Sequence, residues 1–455
     1  MNQALPQIMP VLPETVLLCF TVLSVVAGVC AAPSKAKKTA DGAVFAGLAA
    51  AFCLLFLLKT PNEPFAAATV TLKRILTASA AAVLAFGADW LKYKKYERFE
   101  FAPLVGFSTA GMMLAVGADN FLMQFLGLEL AFFPLLFLTA YKRQGERSTA
   151  AGAKLAVMML LASGVYLFGV SVVYACLGTV DFAAVAAADK SRVLPVLLWG
   201  GAFVAAGLFT KAGVAPFHLW LPDVFEGAPS PVTAMFVLTA RLSVLGALAA
   251  LLFRPFADLA VYARPVLETA AVLSVFAGGA GAVVQTNVKR LIACSVVAMN
   301  GTALAALAVS AGGTFLMLSA VDTVLTAGLC AIMLSLRVGD ELIEETRILA
   351  GQGRAKPVRG ALFSLIFLGA AGAPPFAGFL ARFDLYRATA AAGLTPFCLL
   401  LVFGAMPLTY VYLRLIRQMY AAAAKDELSP APLPMKAVIL LSAAVSSLMF
   451  VATGF

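Results

Sequence analysis

The chain has 455 residues, of which 62% are hydrophobic and 12% charged, with a formal net charge of +10. Mean hydropathy is +0.95, and soluble domains carry about 25% charged residues, so lipid rather than water must be the main solvent. The positive charge fits the basic cytoplasmic loops of a membrane protein and excludes nucleic acid as a partner, because no basic run interleaves with exposed aromatics.

A spanning helix needs about 20 mostly apolar residues. Such runs fall near 12–32, 43–58, 75–91, 101–117, 120–140, 152–177 and 194–217. They continue near 232–253, 263–285, 291–310, 314–336, 359–383, 394–418 and 435–454. Backbone polar groups have no partner in lipid, so each run is expected to be a helix. The sequence therefore predicts an all-α membrane protein of about fourteen spans. The first run follows residues without Lys or Arg, the reverse of a basic signal-peptide start, and is expected to be a permanent helix.

Loop charge sets the orientation. Lys35, Lys37, Lys38, Lys92, Lys94, Lys95, Arg98, Lys142, Arg143 and Arg147 follow odd-numbered runs. So do Lys289, Arg290, Arg337, Arg347, Arg354, Lys356, Arg359, Arg414, Arg417, Lys425 and Lys436. The richer side is cytoplasmic by the positive-inside rule, which puts both termini on the periplasmic side of a bacterial plasma membrane.

Ala212-Gly-Val-Ala-Pro-Phe217 in the seventh run recurs as Ala371-Gly-Ala-Pro-Pro-Phe376 in the twelfth. Proline removes a donor and clashes with the preceding turn, so Pro216, Pro374 and Pro375 are expected to break both helices. Two breaks five runs apart imply two five-helix repeats, helices 4–8 and 9–13, of inverted topology, as in ion-coupled transporters. The expected divisions are 1–100 (helices 1–3), 101–257 (first repeat), 258–420 (second repeat) and 421–455 (helix 14).

Six charges interrupt apolar runs: Glu129, Lys154, Lys211, Arg241, Asp322 and Arg382. Each costs on the order of 2.5–3.5 kcal/mol to insert, so mutual pairing around internal water is expected, which is also what a proton path needs. Lys154 could equally snorkel to headgroups and Arg382 reach the far interface. A static ion pair is the plain alternative for the other four. His218, just past the first break, is expected to anchor a loop. Gly278-Gly-Ala-Gly281 has no preceding strand and suits close helix packing. The seven cysteines lie in or beside apolar runs without a CxxC pair, and His218 is the sole histidine. A metal, Fe–S or haem site is not expected.

Residues 207–237, Gly-Leu-Phe-Thr-Lys-Ala-Gly-Val-Ala-Pro-Phe-His-Leu-Trp-Leu-Pro-Asp-Val-Phe-Glu-Gly-Ala-Pro-Ser-Pro-Val-Thr-Ala-Met-Phe-Val, resemble the antiporter-like subunits of respiratory complex I, relatives of Mrp antiporters. The form is most similar to the subunit N branch of NADH-quinone oxidoreductase. Subunits L and M and Mrp antiporters usually carry a His after Val232-Thr-Ala234, where this chain has Phe236 and its neighbours. Ala118-Asp-Asn120, Leu126-Gly-Leu-Glu129, Lys289-Arg-Leu-Ile-Ala293, Ile348-Leu-Ala-Gly-Gln-Gly-Arg354 and Gly372-Ala-Pro-Pro-Phe-Ala-Gly-Phe379 add to the likeness, which covers residues 100–420.

The resemblance implies proton translocation, with Glu129 and Lys211 as the ion pair of a first half-channel and Lys154 beside it. Arg241 and Arg382 stand where the branch usually has lysines, and Arg, unlike Lys, is effectively always charged. Ala298-Met-Asn-Gly-Thr302 lacks the His and Tyr of the family pattern, and Asp322 stands where Tyr is common. Asp322 would supply a titratable group in the second half, expected to pair with Arg241 or Arg382, with a static neutral Asp hydrogen-bonded to a neighbouring helix as the rival reading. The resemblance further implies no cofactor in this chain, with NADH, FMN, Fe-S clusters and quinone in partner subunits of the membrane assembly. A membrane-hydrogenase subunit, an Mrp-type antiporter and a non-pumping structural subunit remain as alternatives.

Overall fold

The computed structural model describes residues 11–57, 63–94, 96, 98–142, 145–339, 341–421 and 428–452. Lys95, Arg143 and Lys425 of the loop-charge pattern lie outside these residues, as do Leu58 and parts of both terminal segments. The chain is an all-helical membrane protein. Among the described residues, eleven helices are long and apolar enough to cross a membrane, and Phe101–Val116, Pro357–Ala371 and Leu433–Leu448 are shorter apolar helices.

In chain order the helices are α1 (Leu12–Cys30), α2 (Pro33–Leu57), α3 (Pro64–Tyr93), α4 (Phe101–Val116), α5 (Phe121–Thr139), α6 (Glu146–Leu177) and α7 (Leu194–Ala212). They continue as α8 (Ser230–Phe253), α9 (Ala260–Val283), α10 (Val288–Ala308), α11 (Gly312–Ser335), α12 (Pro357–Ala371), α13 (Ala377–Ala391), α14 (Thr395–Ala421) and α15 (Leu433–Ala452). A two-stranded antiparallel hairpin pairs Arg337 with Leu342 and Val338 with Glu341, an element that no apolar run announced.

The helices extend beyond the apolar runs at several ends. α2 starts at Pro33 rather than 43, and α3 at Pro64 rather than 75. Lys35, Lys37 and Lys38 are therefore helical rather than in a loop, and so are Lys289, Arg290, Arg359, Arg414 and Arg417. A hydropathy threshold trims polar first turns, yet a helix continues past the hydrocarbon boundary while its side chains reach water.

The seventh and twelfth runs are interrupted. α7 ends at Ala212 and a short helix, Leu221–Gly227, follows the turn; α12 ends at Ala371 and α13 begins at Ala377. At each break the helix is capped by a glycine in the left-handed region, Gly213 at φ 71° and Gly372 at φ 72°, where a Cβ would be strained. Pro216 and the Pro374-Pro375 pair lie in these turns, each with a cis X-Pro bond.

The chain forms two compact units, Met1–Gly213 with Gly227–Ala263, and Val214–Glu226 with Arg264–Phe455. In the first, α1 packs on α2, α4 on α5 and α6 on α7; in the second, α11 packs on α15 and α12 on α14. α10 is buried along its whole spanning window, whereas α1 and α14 bury about a third of theirs. The outward faces are apolar, as lipid requires: Leu126, Phe133, Leu160, Trp199 and Phe403 are all exposed.

Candidate functional site

The site in the first unit is positioned by two close helix crossings. At the α4–α5 crossing, Gly111-x-x-x-Ala115 faces Gly127-x-x-x-Ala131. A Cβ on Gly111 would lie 2.4 Å from the Ala131 backbone nitrogen, and one on Gly127 would lie 2.5 Å from that of Ala115. Only small residues allow this approach. Ser108 Oγ then donates to the Ala131 carbonyl at 2.6 Å. The start of α5 is fixed by Asn120, whose Oδ1 accepts from the Met123 amide, as an N-cap should. α6 and α7 approach as closely, since a Cβ on Gly207 would meet the Ala162 carbonyl oxygen at 2.8 Å. These crossings bring together Glu129 on α5, Ser163 on α6 and Lys211 on α7.

Lys211 Nζ donates to Glu129 Oε1 at 3.0 Å and to Ser163 Oγ at 2.9 Å. The Lys211 side chain is 1% exposed and that of Glu129 34%, so the ammonium is buried while the carboxylate keeps access to its surroundings. The Phe132 ring lies 5.0 Å from Nζ, a further favourable contact for a cation. Ser163 Oγ is within donating distance of both Glu129 Oε1 and, at 2.8 Å, the Met159 carbonyl. A hydroxyl has one proton to give, so it serves one acceptor at a time while receiving from Lys211. The Tyr166 hydroxyl on α6 donates to Gln124 Oε1 on α5 at 2.9 Å, and Gln124 Nε2 donates to the Ala247 carbonyl on α8 at 3.0 Å. This arrangement can hold a charge, trade its partner and pass a proton.

The remaining sequence-selected residues are placed as follows. Lys154 is exposed on α6, nine residues before Ser163 and thus about 13 Å away along the axis. Arg241 is buried, follows a π-helical turn at Phe236–Ala240 and donates from Nε to the Val237 carbonyl. Such turns recur at functional sites. In the second unit, Arg382 does not reach an interface. It is 8% exposed and donates to the Ala370 carbonyl at the end of α12. Thr409 Oγ1 donates to the neighbouring Ala371 carbonyl, and the Ala215 amide at the other break donates to Ser274 Oγ. Asp322 is 4% exposed, and the buried Tyr412 hydroxyl lies within electrostatic reach of both Asp322 and Arg382. His218 bonds to the Pro216 backbone, while its Nδ1 is buried without a hydrogen-bond partner.

Three features escaped the sequence reading. Ser163 gave no signal, because serine is common in apolar helices. The buried ion pair between Glu14 on α1 and Lys73 on α3 gives no such signal either, because Lys73 lies before the third apolar run, which starts near residue 75. The Gln124–Tyr166 bond was missed because neither residue carries charge. No group of three or more His, Cys, Asp or Glu capable of holding a metal occurs among the described residues.

Paired broken helices and a buried lysine held by Glu129 and Ser163 between close-packed helices define a class of membrane subunit. Residues 118–407 match the family described as NADH:quinone oxidoreductase/Mrp antiporter, TM, and the chain belongs to it. Among its relatives, NADH-quinone oxidoreductase subunit N of Rhodospirillum rubrum is 34% identical, over 97% of this chain and 94% of that protein. Subunit N of Paramagnetospirillum magneticum is 37% identical, over 76% and 73%. A chain of respiratory complex I from Thermus thermophilus with bound aureothin shares the fold, with a TM-score of 0.80 and 24% identity over 97% of this chain and 98% of that one.

Proposed function

We propose that this chain is the subunit N component of a proton-translocating NADH-quinone oxidoreductase of a bacterial plasma membrane. The observation that carries this reading is the Lys211 ammonium, buried and held by Glu129 and Ser163. When the carboxylate withdraws, a buried cation without its partner is strongly disfavoured and Lys211 gives up its proton. When the carboxylate returns, Lys211 takes one up. The driving charge movement comes from neighbouring membrane-arm subunits, and NADH, FMN, Fe-S clusters and quinone belong to partners, with no redox step in this chain.

The finer architecture belongs to the same proposal: fourteen spans, two inverted five-helix repeats over 101–257 and 258–420, and both termini on the periplasmic side. The matching left-handed glycines at the two breaks support the repeats. Lys154 and Arg241 act as electrostatic neighbours of the pair, and His218 as a loop anchor. Mild detergent extraction of the tagged chain should recover flavin- and iron–sulfur-containing subunits. Vesicles holding that complex should acidify on NADH addition with quinone as acceptor. Recovery with cation/proton antiporter subunits alone would assign an Mrp-type role instead.

Ser163→Ala removes the hydroxyl shared by Lys211 and Glu129. A hydrogen bond to a charged group contributes about 1.5–3 kcal/mol, so pumping should slow roughly tenfold in complex of normal abundance. An assembled variant pumping at the parental rate would reduce Ser163 to a packing role.

Asp322 supplies the titratable group of the second half-channel and pairs electrostatically with Arg382. Both side chains are buried in the same unit. Asp322→Asn keeps the shape and removes titration. Proton-to-electron stoichiometry measured in vesicles should fall while quinone reduction continues, and an unchanged stoichiometry would leave Asp322 structural.

A further inference from the structure

We propose that Glu14 and Lys73 form a second proton-carrying pair, in which Glu14 takes the proton that Lys211 releases and passes it to the water beyond the start of α1. This inference rests on the translocation reading above and extends it to helices outside residues 118–407, the stretch that matches the family. Lys73 Nζ lies 2.5 Å from Glu14 Oε1, and the two side chains are 6% and 1% exposed. Ionisable groups inside spanning helices are costly and mark functional sites by default. Glu14 stands in the first turn of α1. The pair is therefore buried, yet near the membrane face where that helix begins.

The two partners are held unequally. A Cβ on Gly117, which caps the end of α4, would lie 2.6 Å from Lys73 Nζ. The ammonium thus sits at a helix C-terminus, where backbone carbonyls favour a cation. Glu14 gives Oε1 to Lys73, while its buried Oε2 has no hydrogen-bond partner among the described residues. That oxygen is the position open to a proton. Protonating it would not strand the Lys73 charge, because the carbonyl end of α4 still faces it. A line of buried groups leads there from Lys211. Tyr166 lies three residues past Ser163 on α6, so the two share a face. Its hydroxyl bonds to Gln124, and Gln124 bonds to the Ala247 carbonyl on α8. At the adjoining Gly246, a Cβ would meet Leu72 Cδ1 and Val116 Cγ2, each at 3.1 Å. These two residues directly precede Lys73 and Gly117. One proton moves and no electrons. A Lys211 N–H bond breaks, internal water carries the proton, and an O–H bond forms at Glu14 Oε2, which later releases it to the aqueous phase.

The test uses the intact complex in vesicles and Glu14→Gln, which keeps the side-chain volume and removes the proton site. Assembled complex should stay at the parental level while NADH-driven acidification falls about tenfold, the same loss as for Glu129→Gln. Combining the two substitutions should cost no more than either alone, because residues on one path act as a unit. Multiplied losses would put Glu14 on a separate path, and parental pumping by assembled Glu14→Gln would leave it structural. Either result overturns the proposal. Where Glu14→Gln assembles poorly, pairing it with Lys73→Gln removes both charges together and should restore abundance without restoring pumping. Loss of assembly in that neutral pair would make Glu14 and Lys73 a tie between α1 and α3, and would overturn the proposal too. Infrared difference spectra recorded on NADH addition give a readout apart from pumping. A carboxyl C=O band should appear in the parental complex and vanish in Glu14→Gln, and its survival there would refute the assignment. If that band maps to Glu14 while assembled Glu129→Gln pumps at the parental rate, the Lys211 reading alone falls and Glu14 stands as a proton carrier.

Discussion

Glu129→Gln should abolish most proton pumping while leaving the complex assembled. The substitution keeps the side-chain volume and removes the charge facing Lys211, whose side chain is 1% exposed. Breaking a buried ion pair by removing one partner typically costs about 3–5 kcal/mol. Glu129 is about one-third exposed, so solvent screens part of this, and half of the lower figure is the safer expectation. About 1.5 kcal/mol still weakens proton binding at Lys211 roughly tenfold. Ser163 cannot make up the loss, since its hydroxyl brings no charge. NADH-driven acidification of vesicles should therefore fall about tenfold, with quinone reduction falling alongside it. Membrane levels of the complex should stay unchanged, because α5 is held by its glycine crossing and its N-cap rather than by Glu129. A fully assembled variant with parental pumping would remove the pair from the mechanism.

The second large effect concerns that crossing. Gly127→Ala is a change of one methyl, but its Cβ would lie 2.5 Å from the Ala115 backbone nitrogen. Backbone cannot rotate aside as a flexible side chain can. Overpacking typically costs about 1–3 kcal/mol, and this site belongs at the upper end. The helices must part, which also pulls Glu129 away from Ser163 and Lys211. Assembled complex recovered from membranes should drop about tenfold, and the remainder should melt at lower temperature. Gly164→Ala is the matched control. It lies beside Ser163 on α6, where nothing stands within 4 Å of a new Cβ, and alanine is the better helix former by about 1 kcal/mol. Equal recovery of the two variants would show that the close approach does not limit assembly.

The sequence revealed what stands out against an apolar background. Glu129 and Lys211 were legible because an ionisable group in lipid must have a partner, although the residue that joins them, Ser163, was not. Both helix breaks were legible because proline cannot continue the hydrogen-bond ladder. The fate of the freed carbonyls was not: Arg382 turns back onto Ala370 and Thr409 onto Ala371, pairings set by tertiary packing. Helix ends were least legible, since polar turns of α2 and α3 fall below any apolar threshold. That is how the Glu14–Lys73 pair escaped notice.

α10 carries a different kind of consequence. Because no face of this helix is given to lipid, no position along it is free to drift among apolar residues as the outer positions of α1 and α14 are. A library of single substitutions scored for growth on respiration should show depletion around the whole circumference of α10. On α1 and α14 the depletion should follow one stripe with a helical period. The evolutionary freedom of this chain is thus set helix by helix, by how much of each circumference lipid is left to tolerate.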